Sequence, residues 1–376
     1  MFNRLYLNGG LRVDDNNAFG EEVDLQVYPK AAVAYNMSNE SFWQNSFLSK
    51  FWNVMKLRAS WGKTGQFLPF VRNMTFTMPP FPGVPGNDKI KPEKITGIDA
   101  GFDAALFDER FGVEFSWFRE NTKDALVLIP GSPVTGFGPQ LRNFGEMQND
   151  GIEVAMNASI IATPKLALSL RASMATLNNE VTKLNGTPPF TIGGFSFLPQ
   201  RVEESKPAGV FRTTHPTGGN AFDTRLDFNP LPKRTGSVAL NAILFRNLNL
   251  SVLGDWQTGG YSLNTGALLR AMDRMKPEID RIPPGHNFTT ALSVFIEKSD
   301  YFKLREIVAR CQFHNVKYVR NLTLTASARN VYTFTGAETF DPELTDFGST
   351  IVNIGGINIP ALSPPRTFRL GVEVNY

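Results

Sequence analysis

The sequence predicts an all-β fold, a membrane-spanning antiparallel up-and-down β-barrel, on the basis of three observations. Apolar and polar residues alternate with period two along many segments of about ten residues, the length with which a tilted strand crosses a bilayer. The gaps between these segments are short and long by turns, as in barrels with tight turns on one side and loops on the other. Only 19% of the residues are charged, against about 25% in soluble domains.

We predict about twelve strands, each placed to within a few residues. The strand near residue 325 shows the pattern clearly, because Leu322, Leu324 and Ala326 fall on one face while Thr323 and Thr325 fall on the other. In chain order the predicted strands are 3–14, 25–37, 54–63, 96–107, 110–120, 149–161, 165–177, 235–246, 247–258, 301–313, 320–332 and 366–376.

The connections between these strands indicate which end faces which side of the membrane. Short connections at 108–109, 162–164, 246–247 and 314–320 separate long ones at 64–95, 121–148, 178–234, 259–300 and 333–365. Only the connection at 38–53 is intermediate, and it falls where a short one is due. Counting back from the carboxy terminus places the short turns on the periplasmic side and the long connections outside. All of residues 1–376 are predicted to form one incomplete barrel domain.

Two strands have special features. The strand at 301–313 changes phase around Arg305 and Glu306, which predicts a β-bulge. The final strand ends the chain on an aromatic residue, and one face of it consists of Phe368, Leu370, Val372, Val374 and Tyr376.

Composition excludes several other classes. The net charge of +3 is too small to favour nucleic acid as a partner, and the single Cys311 excludes an internal disulfide. There is no apolar run of about 18 residues, so no transmembrane helix is predicted. Met1 leads almost directly into the first strand without a signal peptide. A barrel must cross the inner membrane, so the chain is expected to be a fragment unless the barrel interpretation is wrong.

No catalytic or metal-binding constellation is recognised, so an enzyme, a metal site and a cofactor are not predicted. The three histidines His215, His286 and His314 are scattered over connections. The acids Asp273 and Glu278–Asp280 do not have the spacing of an EF-hand loop. A soluble propeller is the alternative fold, but it requires a repeat of roughly 40–50 residues, and we find none.

Aromatic residues in the long connections have two interpretations. They can contact sugar rings or a lid partner, or they can pack the connections together. The residues concerned are Phe67, Phe70, Phe76, Phe195, Phe197 and Tyr261.

Four acidic residues share the polar, lumen-facing side of three consecutive predicted strands. Asp99 and Asp103 belong to strand 96–107, Glu114 to 110–120 and Glu153 to 149–161. From the residues alone, an ordinary polar lumen explains these four acids as well as a specific functional role does.

Several motifs together resemble one family. They are Leu5-Tyr-Leu-Asn-Gly-Gly-Leu-Arg-Val-Asp-Asp-Asn-Asn-Ala-Phe-Gly20, Tyr28-Pro-Lys-Ala-Ala-Val-Ala-Tyr35, Leu57-Arg-Ala-Ser-Trp-Gly-Lys-Thr-Gly65, Lys91-Pro-Glu-Lys94 before Gly97-Ile-Asp-Ala-Gly-Phe102, Asn143-Phe-Gly145 with Asn149-Asp-Gly-Ile-Glu153, Tyr301-Phe-Lys-Leu-Arg-Glu306, Phe340-Asp-Pro-Glu343, and the ending from Pro365 to Tyr376. In this order and spacing they resemble the SusC/RagA family of TonB-dependent outer-membrane transporters. Many relatives have Glu where this chain has Asp99.

The resemblance implies the carboxy-terminal part of a larger barrel of about 22 strands, with the plug, the TonB-binding segment and the earlier strands absent. It implies outer-membrane import of nutrients such as oligosaccharides or peptides, with the TonB complex and a SusD-like lipoprotein as partners. A siderophore or cobalamin receptor, and a non-transporting outer-membrane enzyme or adhesin, are the alternatives.

The resemblance also implies roles for two sets of residues. Asp99 and Glu153, with Glu114 and Asp103 beside them, are expected to contact arginines of the plug and hold it until TonB pulls. The final strand, with Tyr376, is expected to be the signal for the outer-membrane assembly machinery and to have an unpaired edge in this chain.

Overall fold

One large antiparallel sheet organises the structure, which is a computed structural model. It describes residues 4–15, 25–66, 76–78, 81–129, 134, 137–138, 140–192, 200–215, 224–316, 319–338, 341–343, 356–358 and 363–375. Twelve long strands follow one another in chain order, each paired antiparallel with the next, and a short thirteenth strand at Asn178–Lys183 pairs with the sixth. The twelve are β1 Leu5–Asp14, β2 Gln26–Asn36, β3 Trp52–Gln66, β4 Glu93–Leu106, β5 Phe111–Lys123, β6 Glu146–Ala162, β7 Leu166–Thr176, β8 Arg234–Leu244, β9 Leu248–Thr258, β10 Tyr301–Val316, β11 Val319–Thr335 and β12 Thr367–Asn375.

Shorter elements lie in the connections. The short strands are Phe76–Met78, Phe81–Val84, Leu126–Ile129, Gln140–Asn143, Phe190–Thr191, Gln200–Val202, Val210–His215, Thr224–Phe228, Tyr261–Asn264, Ile296–Lys298 and Ile357–Asn358. The helices are α1 Ser41–Gln44 and α2 Thr265–Met272, with 3-10 turns at Met37–Asn39, Phe47–Lys50, Glu278–Arg281 and Leu292–Phe295. Within the described residues, no helix is long and apolar enough to cross a membrane.

The strand predictions are confirmed, because each of the twelve predicted segments overlaps one of the twelve long strands in chain order. Several strands are longer than predicted, for example Val319–Thr335 against 320–332. Backbone pairing continues past the apolar stretch, since hydrogen bonds between two strands do not require apolar side chains. The predicted bulge is also confirmed: the register of β10 shifts between Leu304 and Glu306 against β11.

Alternation gives the sheet one apolar and one polar face, because residues opposite each other on paired strands point to the same side. Leu324 lies opposite Val372, and Ala326 lies opposite Leu370, which is 90% exposed. On the other face, Asp103 lies between Lys56 of β3 and Glu114 of β5. The apolar face is open to its surroundings, which suits lipid and not water.

The sheet has two edges among the described residues. There, β1 pairs only with β2, and β12 pairs only with β11. The expected unpaired edge of the final strand is therefore present in this part of the chain.

In the described part of the chain, the two buried apolar clusters lie in the long connections. Phe211, Leu263 and Ile357 bring the connections after β7, β9 and β11 into one cluster. Helix α2 belongs to it and begins where the Asn264 side chain accepts the Ala267 N–H at 2.9 Å. A second cluster joins the connections after β5 and β7 through Val127, Phe144, Val181, Phe190 and Val202, among others. We call these two clusters together the loop cap.

Candidate functional site

The polar face of β3 to β5 carries a compact ion-pair cluster. Arg58 of β3 reaches across to β4, where its Nη1 donates to Asp99 Oδ1 at 3.2 Å and its Nε to Asp103 Oδ1 at 3.0 Å. Lys56 Nζ lies 3.2 Å from the other oxygen of Asp103. Arg58 Nη2 also donates to the buried Ser116 Oγ of β5 at 2.6 Å. Two of the four predicted acids are therefore paired within this chain.

A glycine makes this reach possible. Gly101 lies opposite Arg58 on β4 and opposite Ser116 on β5. A Cβ at Gly101 would lie 2.0 Å from the carbonyl oxygen of Phe115. Because no side chain occupies this position, the Arg58 guanidinium can cross β4 and contact β5.

The other two acids, Glu114 and Glu153, lie next to this cluster and are exposed. Glu114 is directly opposite Asp103, and Glu153 is directly opposite Ser116. Among the described residues, neither makes an ion pair within 4 Å. The structure thus brings all four predicted residues to one face. Asp99 and Asp103 are neutralised by ion pairs, whereas Glu114 and Glu153 have none among the described residues.

A second charged cluster lies at the long-connection end of β9 and β10. Lys303, which is only 4% exposed, contacts Asp341 Oδ1 at 2.5 Å and Glu343 Oε2 at 2.6 Å. Arg305 makes a two-pronged contact with Asp255 of β9 and lies 2.7 Å from Glu343. The hydrogen bond from Arg305 lowers the pKa of Glu343 to about 2.

Sequence reasoning missed this second cluster although it singled out both motifs that form it. Lys303 and Arg305 belong to the motif Tyr301–Glu306, and Asp341 and Glu343 belong to the motif that ends at Glu343. Lys303 and Arg305 face the same side by ordinary alternation, and the bulge brings Glu306 to that side as well, where it pairs with Arg329 at 2.7 Å. The sequence carried no signal that the segment with Asp341 and Glu343 folds back onto this face.

A third ion-pair group stabilises the short sheet in the connection after β7. Arg212 bonds Glu203 and contacts Asp227 Oδ1 at 2.8 Å, and Lys206 lies 2.8 Å from the other oxygen of Asp227. The hydrogen bond from Arg212 lowers the pKa of Asp227 to about 2. The group is local to the connection and holds its strands together.

The remaining candidates occupy separate places. His314 contacts Asn321 at 2.7 Å, His286 lies in the connection after β9, and the side chain of His215 lies outside the described residues. No group of three potential metal ligands occurs in the described part of the chain. Asp273 lies after α2, and the other loop acids are partnered, Glu278 by Arg270 at 2.6 Å and Asp280 by Lys276 at 3.6 Å.

Some of the loop aromatics and most of the final strand lie among the described residues. The ring of Tyr261 lies 5.0 Å from that of Phe228 and packs against the loop cap. Phe67, Phe70, Phe195, Phe197 and the side chain of Phe76 lie outside the described residues, as does Tyr376. Phe368, Leu370, Val372 and Val374 form an exposed apolar row on β12.

Several known proteins are similar to this chain in sequence or in architecture. The sequence model of the family described as "TonB dependent receptor-like, beta-barrel" matches residues 2–331. TonB-dependent receptor P26 of Formosa agariphila is 24% identical over 97% of this chain and 44% of its own length. TonB-dependent receptor SusC of Bacteroides thetaiotaomicron is 27% identical over 50% of this chain and 20% of its own length. The structure of the RagAB peptide transporter has a TM-score of 0.77 at 18% identity, covering 99% of this chain and 45% of that one.

These matches confirm the resemblance to SusC/RagA proteins that the motifs indicate. The chain spans less than half the length of the P26 receptor and of the matched RagAB chain. The family match nevertheless covers most of the chain. This chain belongs to the TonB dependent receptor-like β-barrel family.

Proposed function

We propose that this chain forms part of the wall of an outer-membrane transporter that imports a nutrient such as an oligosaccharide or a peptide. The observation that carries the proposal is the sheet with one exposed apolar face and one charged face. The apolar face suits the hydrocarbon of a bilayer, and the charged face suits a water-containing path.

Transport is the direct test of this proposal. Cells with and without the full-length protein are given a panel of radiolabelled oligosaccharides and peptides. We expect uptake of at least one substrate to require both the protein and the inner-membrane proton gradient, as in TonB-dependent transport. Equal uptake by both strains for every substrate would refute the proposal.

The acidic cluster is proposed to hold a cationic plug segment inside the barrel. Asp99 and Asp103 face Lys56 and Arg58, so these four charges nearly cancel. Glu114 and Glu153 add two negative charges on the same face without an ion pair in the described part of the chain. An arginine entering the lumen therefore meets Glu114 and Glu153 first, and competes with Arg58 for Asp99 and Asp103.

Neutralising the open acids tests this latch. In the full-length protein, Glu114→Gln combined with Glu153→Gln is expected to lower the force needed to pull the plug through its TonB-binding segment. Glu373→Gln is the matched control, because Glu373 lies on the same polar face at β12, opposite Thr323 and far along the sheet. An unchanged force in the double variant, with correct insertion, would remove the latch hypothesis.

A SusD-like lipoprotein is the proposed partner of the loop cap. Leu269 and Met272 of α2, and Met275 just after it, are exposed and apolar although the opposite side of α2 is buried. Such a patch on a well-packed element is typical of a protein contact. Leu269→Asp with Met272→Asp is expected to reduce co-purification of the lipoprotein, whereas Val134→Asp, also at an exposed apolar residue, is not. If the lipoprotein co-purifies equally well with both variants, this contact surface is excluded.

A further inference from the structure

The polar face of β8 to β11 contains two connected hollows. One has a volume of about 420 Å³ and extends towards the long connections, where Asp255 lines it. The other has a volume of about 390 Å³ and extends towards the short turns, where Asn249 lines it. Glu306 and Arg329 line both hollows, so the two form one continuous depression. We call these two joined hollows the polar trough.

The dimensions of the polar trough suit a short oligomer. Asn249 and Asp255 are six residues apart on β9, which corresponds to roughly 20 Å along an extended strand. This length matches a peptide of about six extended residues. Each hollow alone lies within the range of about 300–1,000 Å³ that is typical of sites for small ligands.

The floor of the polar trough departs from the usual composition of the polar face. Leu253 is directly opposite Glu306, and Val308 is directly opposite Ser327, so both apolar side chains lie on the polar face and both line the trough. Leu253 is 38% exposed. Apolar side chains set among groups that form hydrogen bonds are the common composition of a site for an organic ligand. A surface that met only water would not need them.

Most charged side chains of the polar trough are already paired. Arg305 makes a two-pronged contact with Asp255, and Arg329 contacts Glu306 at 2.7 Å. Arg310 is different, because it is exposed and makes no ion pair within 4 Å in the described ranges of the chain. It is the open charge of the trough.

The neighbours of Arg310 suit an incoming carboxylate. Asn249 and Thr325 lie directly opposite Arg310 on the two adjacent strands, so an amide and a hydroxyl group flank the guanidinium. A guanidinium binds a carboxylate through two parallel hydrogen bonds. Arg369 and Glu373 of β12 lie beyond the edge of the trough and carry opposite charges, so together they change the local charge little.

We propose that the polar trough binds an acidic oligomer during import, with Arg310 holding a carboxylate and with Leu253 and Val308 supporting the apolar side of the chain. The proposal rests on the proposed transport function and adds the charge of the cargo. A neutral oligomer would occupy the same floor but would not form the charge-assisted hydrogen bonds with Arg310.

Uptake of matched pairs of substrates tests the proposal. Cells that produce the full-length protein receive labelled oligomers that differ within each pair only in their carboxylates. The pairs are blocked alanine hexapeptides with one glutamate or one glutamine, and tetramers of galacturonic acid or galactose. In at least one pair, we expect uptake of the acidic member to be at least about tenfold faster at low concentration. Arg310→Gln is expected to abolish this preference, and Arg310→Lys to retain part of it.

Arg171→Gln is the matched control. Arg171 is an exposed arginine on the same polar face at β7, opposite Ala239, and it lies outside the polar trough. We expect this variant to keep the wild-type preference. An equal loss of preference in Arg171→Gln and Arg310→Gln would show a general effect of positive charge and would refute the assignment to the trough.

The remaining outcomes separate this proposal from the proposed function. If the wild-type protein imports both members of a pair equally well, the acidic-cargo site is refuted and the transport function stands. If uptake of no oligomer depends on the protein, the transport function fails as well. If Arg310→Gln lowers the force needed to pull the plug but leaves the preference intact, Arg310 serves the plug, and the assignment to cargo is overturned.

Discussion

The buried cluster around Lys303 gives a sharp prediction. Lys303→Met keeps an unbranched side chain of similar length but removes the cation that Asp341 and Glu343 share. Removing one partner of a buried ion pair costs about 3–5 kcal/mol. Two lost hydrogen bonds between charged groups, at about 1.5–3 kcal/mol each, give a similar total. We therefore expect the segment 341–343 to separate from β10 while the long strands stay paired.

Hydrogen exchange measures this local opening. The N–H of Glu343 donates to Asp341 Oδ1 at 3.1 Å, so its exchange reports on the segment. A loss of about 3 kcal/mol corresponds to exchange faster by about a hundredfold, since each factor of ten is worth about 1.4 kcal/mol. Lys183→Met is the control, because the exposed pair of Lys183 with Glu146 at 3.4 Å is worth no more than about 1 kcal/mol. Exchange at Glu343 that stays at the wild-type rate in Lys303→Met refutes the reasoning.

Acid provides a second perturbation of the same cluster. The pKa of Glu343 is lowered from 4.5 to about 2, first by its hydrogen bond from Arg305. A carboxyl group with a depressed pKa contributes stability that is present above its ordinary pKa and is lost as the pH falls through the lowered value. Protection at Glu343 is therefore expected to decline between about pH 4.5 and pH 2. A decline complete before pH 4 contradicts this assignment.

Three further predictions concern other parts of the chain. Arg212→Met is expected to return the pKa of Asp227 from about 2 towards 3.8, as measured by its carboxylate infrared band; an unchanged titration argues against their pairing. Gly101→Ala is expected to destabilise the sheet by about 1–3 kcal/mol in denaturant titrations and to displace Arg58. A free energy of unfolding that stays unchanged contradicts the close approach of Gly101 to the Phe115 carbonyl oxygen. Deleting Tyr376 from the full-length protein is expected to reduce insertion, measured by heat-modifiable gel mobility, without changing ligand affinity per inserted molecule; normal insertion counts against the assembly signal.

The strands were predictable because their pattern has a local cause. Each residue of a strand faces either an apolar or a polar surrounding, and the choice alternates with every residue. Even the bulge at Arg305 leaves a visible phase change in the sequence. The faces follow from this alternation, and the order of the strands follows from the short and long gaps between them.

The loop cap was not predictable in the same way. Phe211, Leu263 and Ile357 come from three different connections and pack in one cluster. No periodicity links residues so far apart in the chain, because their contact depends on how several connections fold over one another. The pairing of Lys303 with Asp341 has the same origin, although both motifs were recognised.

The candidate site was predictable in part. Its acids were assigned to one face from alternation, but their partner Arg58 required the register of β3 against β4. In that register Arg58 lies opposite Gly101, between Asp99 and Asp103. A one-residue slip would move Arg58 to the apolar face.

The paired state of Asp99 and Asp103 also limits how strongly the proposed latch can hold. A plug arginine that takes one of these carboxylates from Arg58 exchanges one ion pair for another, so the net gain is small. Of the four candidate acids, only Glu114 and Glu153 have no ion pair in the described part of the chain. An exposed ion pair contributes up to about 1 kcal/mol. Where water is partly excluded, two opposite charges about 4 Å apart attract each other by about 4 kcal/mol. The proposed latch is therefore expected to be reversible, so that a pulling force releases the plug without unfolding the wall.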